Sequence, residues 1–347
     1  MNFQKIQNYM DRVLVKEKGV PSVTVSVMRD HKLLYQGFAG KAAENNRYFL
    51  YSCTKPVTVA VILRLIEEGR LSLQEPVAQY LPAYSMLFWE KDGCRIPVKT
   101  PVTIYHLLTM SAGFDYSLIT DPAKNRALID KVGANATTME VVNGFAEFPL
   151  QFQPGERFCY SVCHDILAAV AEAVTDMPFS EYVKKVLFDP LGMMHTTYSH
   201  TPEVLEQLSP QYLYWEGKLT QIETVNQHVL TPNYHSGGAG IISTVEDYSL
   251  FADMLACGGI AANGYRFLKP ETAALLQKSE FPYDGPAGYR YGLGVRVSPK
   301  GEFGWDGAAG SCVMIDPKNR ISVFTAMHLL NWPSLIPDAH FRIYEAL

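Results

Sequence analysis

The hexapeptide Tyr51-Ser52-Cys53-Thr54-Lys55-Pro56 opens a long segment in which apolar residues recur at helical spacing. The apolar positions that predict this helix are Val57, Ala60, Val61, Leu63 and Leu65, and the helix is expected to end at Gly69. Ser52 therefore lies at the start of the helix. Lys55 follows three residues later, so the two side chains can share one face about one turn apart.

The spacing of Ser52 and Lys55 fits nucleophilic catalysis. A serine hydroxyl needs a neighbouring base to take its proton, and a lysine amine that burial keeps neutral can do this. Backbone N–H groups at a helix start can also bind an oxyanion. The pattern Ser-x-x-Lys by itself equally fits an N-cap serine followed by a surface lysine. Cys53 points away from Lys55 on a helix, which disfavours a thiol nucleophile.

The composition of the 347-residue chain is that of a globular protein, with 48% hydrophobic residues. A net charge of −5 and a pI near 6.0 give no reason to expect nucleic acid or an anionic membrane as a partner. Residues 1–18 lack the apolar core of a signal peptide, and no apolar run reaches the length of a membrane span. We therefore expect a cytoplasmic protein with no membrane partner.

Six cysteines are scattered along the chain without a Cys-x-x-Cys pair, which predicts free thiols in a reduced compartment. Cys159 and Cys163 lie close to His164, but no second pair of potential ligands accompanies them. The sequence therefore predicts no metal site.

Strand patterns occur near both ends of the chain. Residues 22–27 alternate with a period of two, and residues 32–36 follow after a short turn, which predicts an antiparallel hairpin. Residues 291–297, 311–315 and 321–325 indicate further strands, the last two joined by a turn at 316–319. These patterns imply one antiparallel sheet formed by N- and C-terminal segments and flanked by helices, an α/β fold of the α+β type.

The middle of the chain differs, because helical patterns alternate there with loops that contain proline. Candidate helices cover residues 104–110, 138–145, 164–175 and 179–188, and beyond this region residues 245–256, 270–278 and 337–346. We predict a sheet domain made of residues 1–75 and 232–347. A mostly helical inserted domain would cover residues 76–231, with the active site between the two.

Three motifs follow one another along the chain. The first is Ser52-x-x-Lys55, the second is Gln153-Pro154-Gly155-Glu156-Arg157-Phe158-Cys159-Tyr160-Ser161, and the third is Phe303-Gly304-Trp305-Asp306-Gly307-Ala308-Ala309-Gly310. Shorter segments at 106–113, 190–193 and 237–244 accompany them. In order and spacing, the set resembles the serine β-lactamase and penicillin-binding-protein family, in its class C-like branch of esterases and peptidases. The resemblance implies a β-lactamase/transpeptidase-like fold and no cofactor.

The resemblance also implies roles for the matching residues. Ser52 would be the acylated nucleophile, Lys55 its partner in proton transfer, and Tyr160 a second general base. A free phenol titrates at about pH 10, so this role of Tyr160 requires a cation such as Lys55 close by. A core aromatic residue is the alternative interpretation of Tyr160. The backbone N–H groups of Ser52 and of Ala308, on the strand of the third motif, would form the oxyanion hole.

Two positions depart from the family pattern. Val162 stands where the second motif usually has asparagine, and Trp305 stands where the third usually has lysine or histidine. Both changes favour an ester or another uncharged acyl group. We expect substrate contacts from Val162, Trp305, Asp306 and Gly307, with Trp305 as an apolar wall and Asp306 as either a turn residue or a binder of a cationic substrate. Four loop aromatics could line the pocket or simply pack: Phe114, Tyr116, Tyr234 and Tyr289.

Three functions remain open on the sequence alone. The first is a serine hydrolase or acyltransferase that acts on a small-molecule ester or amide through an acyl-enzyme on Ser52. The second is a β-lactamase or D-amino-acid peptidase, which the missing signal peptide disfavours. The third is a catalytically silent binding protein on the same scaffold, suggested by Val162 and Trp305. The sequence specifies neither the natural substrate nor the oligomeric state.

Overall fold

The computed structural model describes residues 2–91, 93–282, 288–331 and 342–346. Its strands are β1 (Ser22–Arg29), β2 (Lys32–Gly40), β3 (Tyr48–Phe49), β4 (Phe88–Lys91), β5 (Cys94–Pro97), β6 (Gln211–Trp215), β7 (Lys218–Ile222), β8 (Ile242–Ser243), β9 (Ser279–Pro282), β10 (Arg290–Gly292), β11 (Arg296–Val297), β12 (Phe303–Asp306), β13 (Cys312–Asp316), β14 (Ile321–Ala326) and β15 (Leu329–Leu330).

The helices are α1 (Phe3–Asn8), α2 (Thr54–Glu67), α3 (Ile104–Leu108), α4 (Ser117–Thr120), α5 (Pro122–Val132), α6 (Thr138–Phe145), α7 (Cys163–Thr175), α8 (Phe179–Val183), α9 (Asp189–Leu191), α10 (Pro202–Leu205), α11 (Val245–Ala256) and α12 (Pro270–Ala273). Two of them, α1 and α8, continue with π-helical hydrogen bonding over Tyr9–Glu17 and Lys184–Phe188. Short 3₁₀ turns cover Tyr51–Cys53, Val77–Gln79, Pro82–Met86 and Ala274–Gln277.

The central sheet is built from both ends of the chain, which confirms the predicted fold class. Its eight antiparallel strands lie in the order β2-β1-β14-β13-β12-β11-β10-β9, so the N-terminal hairpin pairs with the C-terminal strand β14. Asp30 and His31 form the turn between β1 and β2. Their positive φ angles of 54° and 67° match the two-residue turn that the right-handed twist of a hairpin favours.

Helices cover both faces of this sheet. Val25 and Val27 of β1 pack with Met10 of the N-terminal helix. Helix α11 packs on β1, β13 and β14 from the other face, where its Tyr248 stacks on Phe324 with ring centres 4.2 Å apart. Because both faces are covered, β1 is buried over nearly its whole length.

One predicted strand is wrong as a single element. Residues 291–297 form parts of two short strands, β10 and β11, which pair antiparallel with each other. Gly294 lies between them with a φ of 74°, a left-handed conformation that glycine adopts without steric cost. The chain therefore turns back at this glycine. Strand β9, which was not predicted, pairs with β10 at the edge of the sheet.

Helix α2 begins at Thr54, directly after the 3₁₀ turn that contains Ser52. Pro56 lies in its first turn, where the missing N–H would have no helical partner in any case. The helix is buried along most of its length and packs against α7 and β12. Ser52 is thereby fixed at the N-terminal end of a buried helix.

The middle range 76–231 holds α3 to α10 and also two hairpins that were not predicted, β4–β5 and β6–β7. Strand β6 pairs in parallel with β15 from the C-terminal range. Buried residues of both ranges, such as Leu63 and Phe145, belong to one continuous apolar cluster. The division into two domains stays a prediction.

The C-terminal helix predicted over residues 337–346 is helical at 342–345, and its first part lies outside the described residues. Within the described ranges, we find no helix with both the length and the apolar composition needed to span a bilayer.

Candidate active site

Ser52 lies in a strained turn. The residue before it, Tyr51, has a φ of 47°, a left-handed conformation that is costly for a bulky side chain. The hydroxyl of Ser311 donates to the carbonyl of Leu50 at 2.7 Å, and Nε2 of Gln211 donates to the hydroxyl of Tyr51 at 2.6 Å. These contacts hold the turn on both sides and keep Ser52 half-buried in front of α2.

Lys55 is completely buried beside Ser52. Its Nζ donates to Oγ of Ser52 at 3.1 Å and to the carbonyl oxygen of Gly238 at 2.8 Å. It also donates to the hydroxyl of Tyr116 at 2.8 Å. An ammonium group has three N–H donors and no acceptor, so these three oxygens match a protonated Lys55.

The phenol of Tyr160 completes the cluster from a distant part of the chain. Its hydroxyl donates to Oγ of Ser52 at 2.6 Å, and Nζ of Lys55 lies 4.7 Å from the centre of its ring. The indole Nε1–H of Trp305 donates to the same phenol oxygen at 3.2 Å. An indole nitrogen is a donor only, so the oxygen of Tyr160 is the acceptor in this contact.

Strand β12 carries the third motif past the nucleophile turn. The strand ends at Asp306, and Ala308 lies in the turn beyond it, so its predicted position on the strand is wrong. A Cβ at Gly307 would lie 2.1 Å from Oγ of Ser311 and 2.2 Å from the carbonyl oxygen of Leu50. A side chain at this position cannot be accommodated without movement, which explains the glycine.

A pocket of about 480 Å³ opens at the cluster. It is lined by Ser52, Phe158, Tyr160, Trp305, Asp306, Gly307 and Ala308. The pocket is therefore bordered by Ser52 and Ala308, whose backbone N–H groups are predicted to form the oxyanion hole, and by three aromatic rings. Among these described lining residues, none carries a positive charge.

Two of the residues expected to contact substrate have other surroundings. Asp306 borders the pocket but forms an ion pair with Arg296, whose Nη2 donates to Oδ1 at 2.7 Å. The side chain of Arg296 is only 3% exposed, so the pair largely neutralises the carboxylate of Asp306. Val162 is fully buried at the N-cap of α7 and does not line the pocket. Its side chain belongs to the core, which disfavours the expected contact.

The structure adds residues whose position the sequence could not indicate. Tyr116 contacts Lys55 and stacks on Tyr160 with ring centres 5.1 Å apart. Asp165 is buried on α7 and accepts from the amide of Gly238. The available sequence signal for Asp165 was a carboxylate in the first turn of a mostly apolar helix. None of the four loop aromatics considered as pocket lining borders this pocket: Phe114, Tyr116, Tyr234 and Tyr289.

Burial dominates the titration of the groups around Lys55. It raises the pKa of Tyr116 well above the ordinary range, and neighbouring Tyr160 and Asp165 raise it further. Burial also lowers the pKa of His228 to about 4, with the charge of Lys55 acting in the same direction. Near neutral pH, Tyr116 therefore keeps its proton and His228 is uncharged.

The buried thiol of Cys53 and the residues that could bind a metal ion do not line the pocket. Burial raises the pKa of Cys53 to about 12, which keeps this residue a thiol. In the part of the chain that the structure describes, one group could hold a metal ion, made of His31, Asp253 and Cys257. It lies between the β1–β2 turn and α11, and Nδ1 of His31 is 2.7 Å from Oδ2 of Asp253.

Comparison with known proteins shows the family of the chain. The sequence model of the family described as Beta-lactamase matches residues 3–346. The chain belongs to the beta-lactamase family. The resemblance inferred from the three motifs is thereby confirmed.

Individual proteins resemble the chain over most of its length. A putative D-alanyl-D-alanine carboxypeptidase from Salmonella schwarzengrund (strain CVM19633) is 26% identical over 364 residues, covering 92% of this chain and 79% of that protein. The solved structure of EstCE1, a hydrolase with promiscuous acyltransferase activity, has a TM-score of 0.82 at 22% identity and covers 99% of this chain and 97% of that one. The octameric penicillin-binding protein homologue from Pyrococcus abyssi has a TM-score of 0.75 at 24% identity, covering 99% and 76% of the two chains.

Proposed function

We propose that this member of the beta-lactamase family is a serine esterase or acyltransferase that forms an acyl-enzyme on Ser52. The observation that carries the proposal is the meeting of three proton-transfer groups at one pocket. Oγ of Ser52 lies 3.1 Å from Nζ of Lys55 and 2.6 Å from the hydroxyl of Tyr160. A binding protein without chemistry has no need for all three groups together, which disfavours the catalytically silent alternative.

Acylation starts from the phenolate form of Tyr160, in which the hydroxyl of Ser52 is the donor of the 2.6 Å hydrogen bond between the two side chains. Oγ of Ser52 attacks the carbonyl carbon of the ester, and its proton passes to the oxygen of Tyr160. Lys55 stays protonated and compensates the negative charge that Tyr160 carries before it takes the proton. Tyr160 then gives this proton to the oxygen of the leaving alcohol. Water or a second alcohol resolves the acyl-enzyme, and the proton transfers run in reverse order.

The oxyanion of the tetrahedral intermediate would be held by the backbone N–H groups of Ser52 and Ala308. Ser52 lies at the beginning of a helical segment, where backbone N–H groups lack helical partners. Ala308 lies in the turn that follows β12, on the border of the same pocket. Two fixed donors at this place would stabilise the developing charge without reorganisation.

Trp305 has a second role in this scheme besides that of an apolar wall. Its Nε1–H donates to the oxygen of Tyr160, the atom that accepts the proton of Ser52. The third motif thus supplies a neutral donor to the base, at the place where related sequences usually have a cation. This difference favours activation of Tyr160 over recognition of a substrate carboxylate.

The lining of the pocket supports an ester with an uncharged, apolar acyl group as substrate. Phe158, Tyr160 and Trp305 contribute aromatic rings, and the nearby Arg296 is already paired with Asp306. The alternative is a β-lactamase or a D-amino-acid peptidase, the activity named for the Salmonella relative. Such substrates carry a carboxylate, for which the described lining residues offer no cationic partner.

A fluorophosphonate probe followed by intact-mass analysis tests the proposal. The wild type should gain one adduct on Ser52, and Ser52→Ala should gain none. Lys55→Met and Tyr160→Phe should hydrolyse p-nitrophenyl butyrate at least about 100-fold more slowly, in the range that a positioned proton-transfer group contributes. Cys53→Ala is the matched control, since it replaces the adjacent nucleophile and should keep both adduct and activity.

Two outcomes would contradict this proposal. One is a folded wild type that gains no adduct and hydrolyses no ester. The other is faster turnover of nitrocefin or of a D-Ala-D-Ala peptide than of any uncharged ester in an acyl-chain series. Because EstCE1 is described as having promiscuous acyltransferase activity, the ester series also includes a primary alcohol as acceptor.

A further inference from the structure

Asp165 is a buried carboxylate that the reaction scheme above does not use. It lies in the first turn of α7 and has no exposed surface. Lys55, also without exposed surface, forms no ion pair with a carboxylate in the described ranges. A buried ammonium group is unstable unless hydrogen bonds and a negative charge compensate it. The position of Asp165 relative to Lys55 therefore bears on the chemistry of Ser52.

One oxygen of Asp165 accepts three hydrogen bonds. The hydroxyl of Tyr234 donates to Oδ1 at 2.7 Å, the hydroxyl of Ser236 at 2.5 Å, and the backbone N–H of Gly238 at 3.2 Å. An ionised carboxylate is an acceptor only, so three converging donors suit its negative charge.

The peptide groups of Gly238 connect Asp165 to Lys55. The N–H of Gly238 points to the carboxylate, and its carbonyl oxygen accepts from Nζ of Lys55 at 2.8 Å. The hydroxyl of Thr58 on α2 donates to the carbonyl oxygen of Gly237 at 2.6 Å and connects this loop to the helix. A Cβ at Gly238 would lie 2.7 Å from Oδ2 of Asp165 and 3.2 Å from the hydroxyl of Tyr116. The glycine thus permits the close approach of these groups.

We propose that Asp165 is a positioning residue for Lys55. Through Gly238 it orients one of the three oxygens that accept from Nζ, and its buried negative charge holds Lys55 in the ammonium form. The inference rests on the proposed function only in assigning this ammonium group to the Ser52 reaction.

Other titratable groups face the two charges. On the Lys55 side these are Tyr116, Tyr160, His164 and His228, and on the Asp165 side Tyr84, Cys163, Tyr198 and Tyr234. Burial lowers the pKa of both histidines and raises the pKa of Tyr116 and of every group on the Asp165 side. Near neutral pH the buried histidines and the groups whose pKa is raised are therefore uncharged. The negative charges that face Lys55 are then the carboxylate of Asp165 and, in the proposed reaction, the phenolate of Tyr160.

The variant Asp165→Asn removes the charge with little change of shape. Its amide oxygen can take the place of Oδ1 and accept the same three hydrogen bonds. Its amide nitrogen takes the place of Oδ2, for which the described residues provide no hydrogen-bond partner. Loss of the carboxylate removes a buried negative charge that is linked to Lys55 through Gly238, which disfavours the ammonium form of Lys55.

NMR titration of protein labelled with [ε-¹³C]lysine measures this shift directly. The signal of Lys55 is assigned by its disappearance in Lys55→Met. Asp165→Asn should move its titration to lower pH, because the negative charge that favours the ammonium form is lost. Ser236→Ala is the matched control, because it removes one donor to the carboxylate and keeps the charge. A folded Asp165→Asn protein in which Lys55 titrates as in the wild type overturns the proposal.

A second variant covers the case in which Asp165→Asn does not fold. Tyr234→Phe combined with Ser236→Ala removes two of the three donors and loosens the support of Gly238. Acylation of Ser52 should then slow about 10-fold with little change in KM, as expected for the loss of roughly one positioning hydrogen bond. An unchanged acylation rate in this double variant also overturns the proposal.

The NMR experiment needs no substrate, so it separates this inference from the proposed function. A shifted Lys55 titration in a protein whose wild type gains no adduct on Ser52 refutes the function and leaves the role of Asp165 intact. Normal adduct formation on Ser52 together with an unshifted Lys55 titration refutes the role of Asp165 and leaves the proposed function intact. If the proposed function and the role of Asp165 are both correct, the pH profile of acylation shifts in Asp165→Asn. Its acidic limb and its alkaline limb then both move to lower pH. A purely structural role would lower the rate without moving that profile.

Discussion

Replacing Trp305 by phenylalanine tests whether the indole N–H assists Tyr160. The change removes the donor that lies 3.2 Å from the phenol oxygen and leaves an aromatic ring in the pocket wall. A hydrogen bond to a charged group contributes about 1.5–3 kcal/mol, and a distance of 3.2 Å is at the long end of the normal range, which favours the lower value. We therefore expect acylation to slow about 10- to 30-fold.

Single-turnover stopped-flow kinetics with p-nitrophenyl butyrate separate acylation from substrate binding. The acylation rate constant of Trp305→Phe should fall, and the substrate concentration for half-maximal rate should change by less than about threefold, because the donor contacts the base and not the ester. Phe158→Leu is the matched control, since it alters the same wall without removing a hydrogen bond. Its effect should appear mainly in binding.

The decisive measurement is a double-mutant cycle with Tyr160→Phe. In that background the phenol oxygen is absent, so Trp305→Phe should have at most about a twofold further effect on acylation. An equal loss in both backgrounds, or a loss confined to substrate binding, would refute the role of the indole N–H. Urea unfolding of each variant at pH 7 verifies that the compared proteins are folded.

Other variants test the pH dependence of stability and the close packing beside the site. Burial lowers the pKa of His328 to about 4, below the ordinary value of 6.5, so the unfolded chain binds more protons between these pH values. The protonation of His328 should therefore lower the free energy of unfolding by up to about 3 kcal/mol between pH 6.5 and pH 4. Urea unfolding should show that His328→Gln lacks this pH-dependent loss of stability. The control His195→Gln, which replaces an exposed histidine, should keep it. Gly307→Ala places a Cβ 2.1 Å from a hydroxyl oxygen and should destabilise the protein by about 1–3 kcal/mol and slow ester hydrolysis more than 10-fold. Ala308→Gly keeps the backbone N–H and should stay within about threefold of the wild-type rate; thermal unfolding and the same ester assay measure both variants.

Features that depend on neighbouring residues could be predicted from the sequence. Helix α6 was predicted over the residues it occupies, and the hairpin of β1 and β2 followed from period-two alternation and a turn signal. The error at residues 291–297 has a similar origin. An apolar run suggested one strand, but glycine at position 294 allowed a reversal that alternation alone does not reveal.

The two hairpins in the middle range pair strands that are neighbours in sequence, and they were missed because these strands are short and lack a clear alternation. Strand β6 pairs with β15, more than a hundred residues away, and short segments such as these have weak local signals. Exposed residues on β7 also left little of the alternation that indicates a strand.

The sequence by itself determined the nucleophile candidate, since Ser52 and Lys55 are separated by one helical turn and their proximity is a local property. Tyr160 could be assigned only through the resemblance of its motif to a known family. Tyr116 and Asp165 were brought to Lys55 by the tertiary structure alone. Contacts between groups so far apart in the chain depend on how the whole core packs, because no periodicity within one element specifies which loop meets which helix.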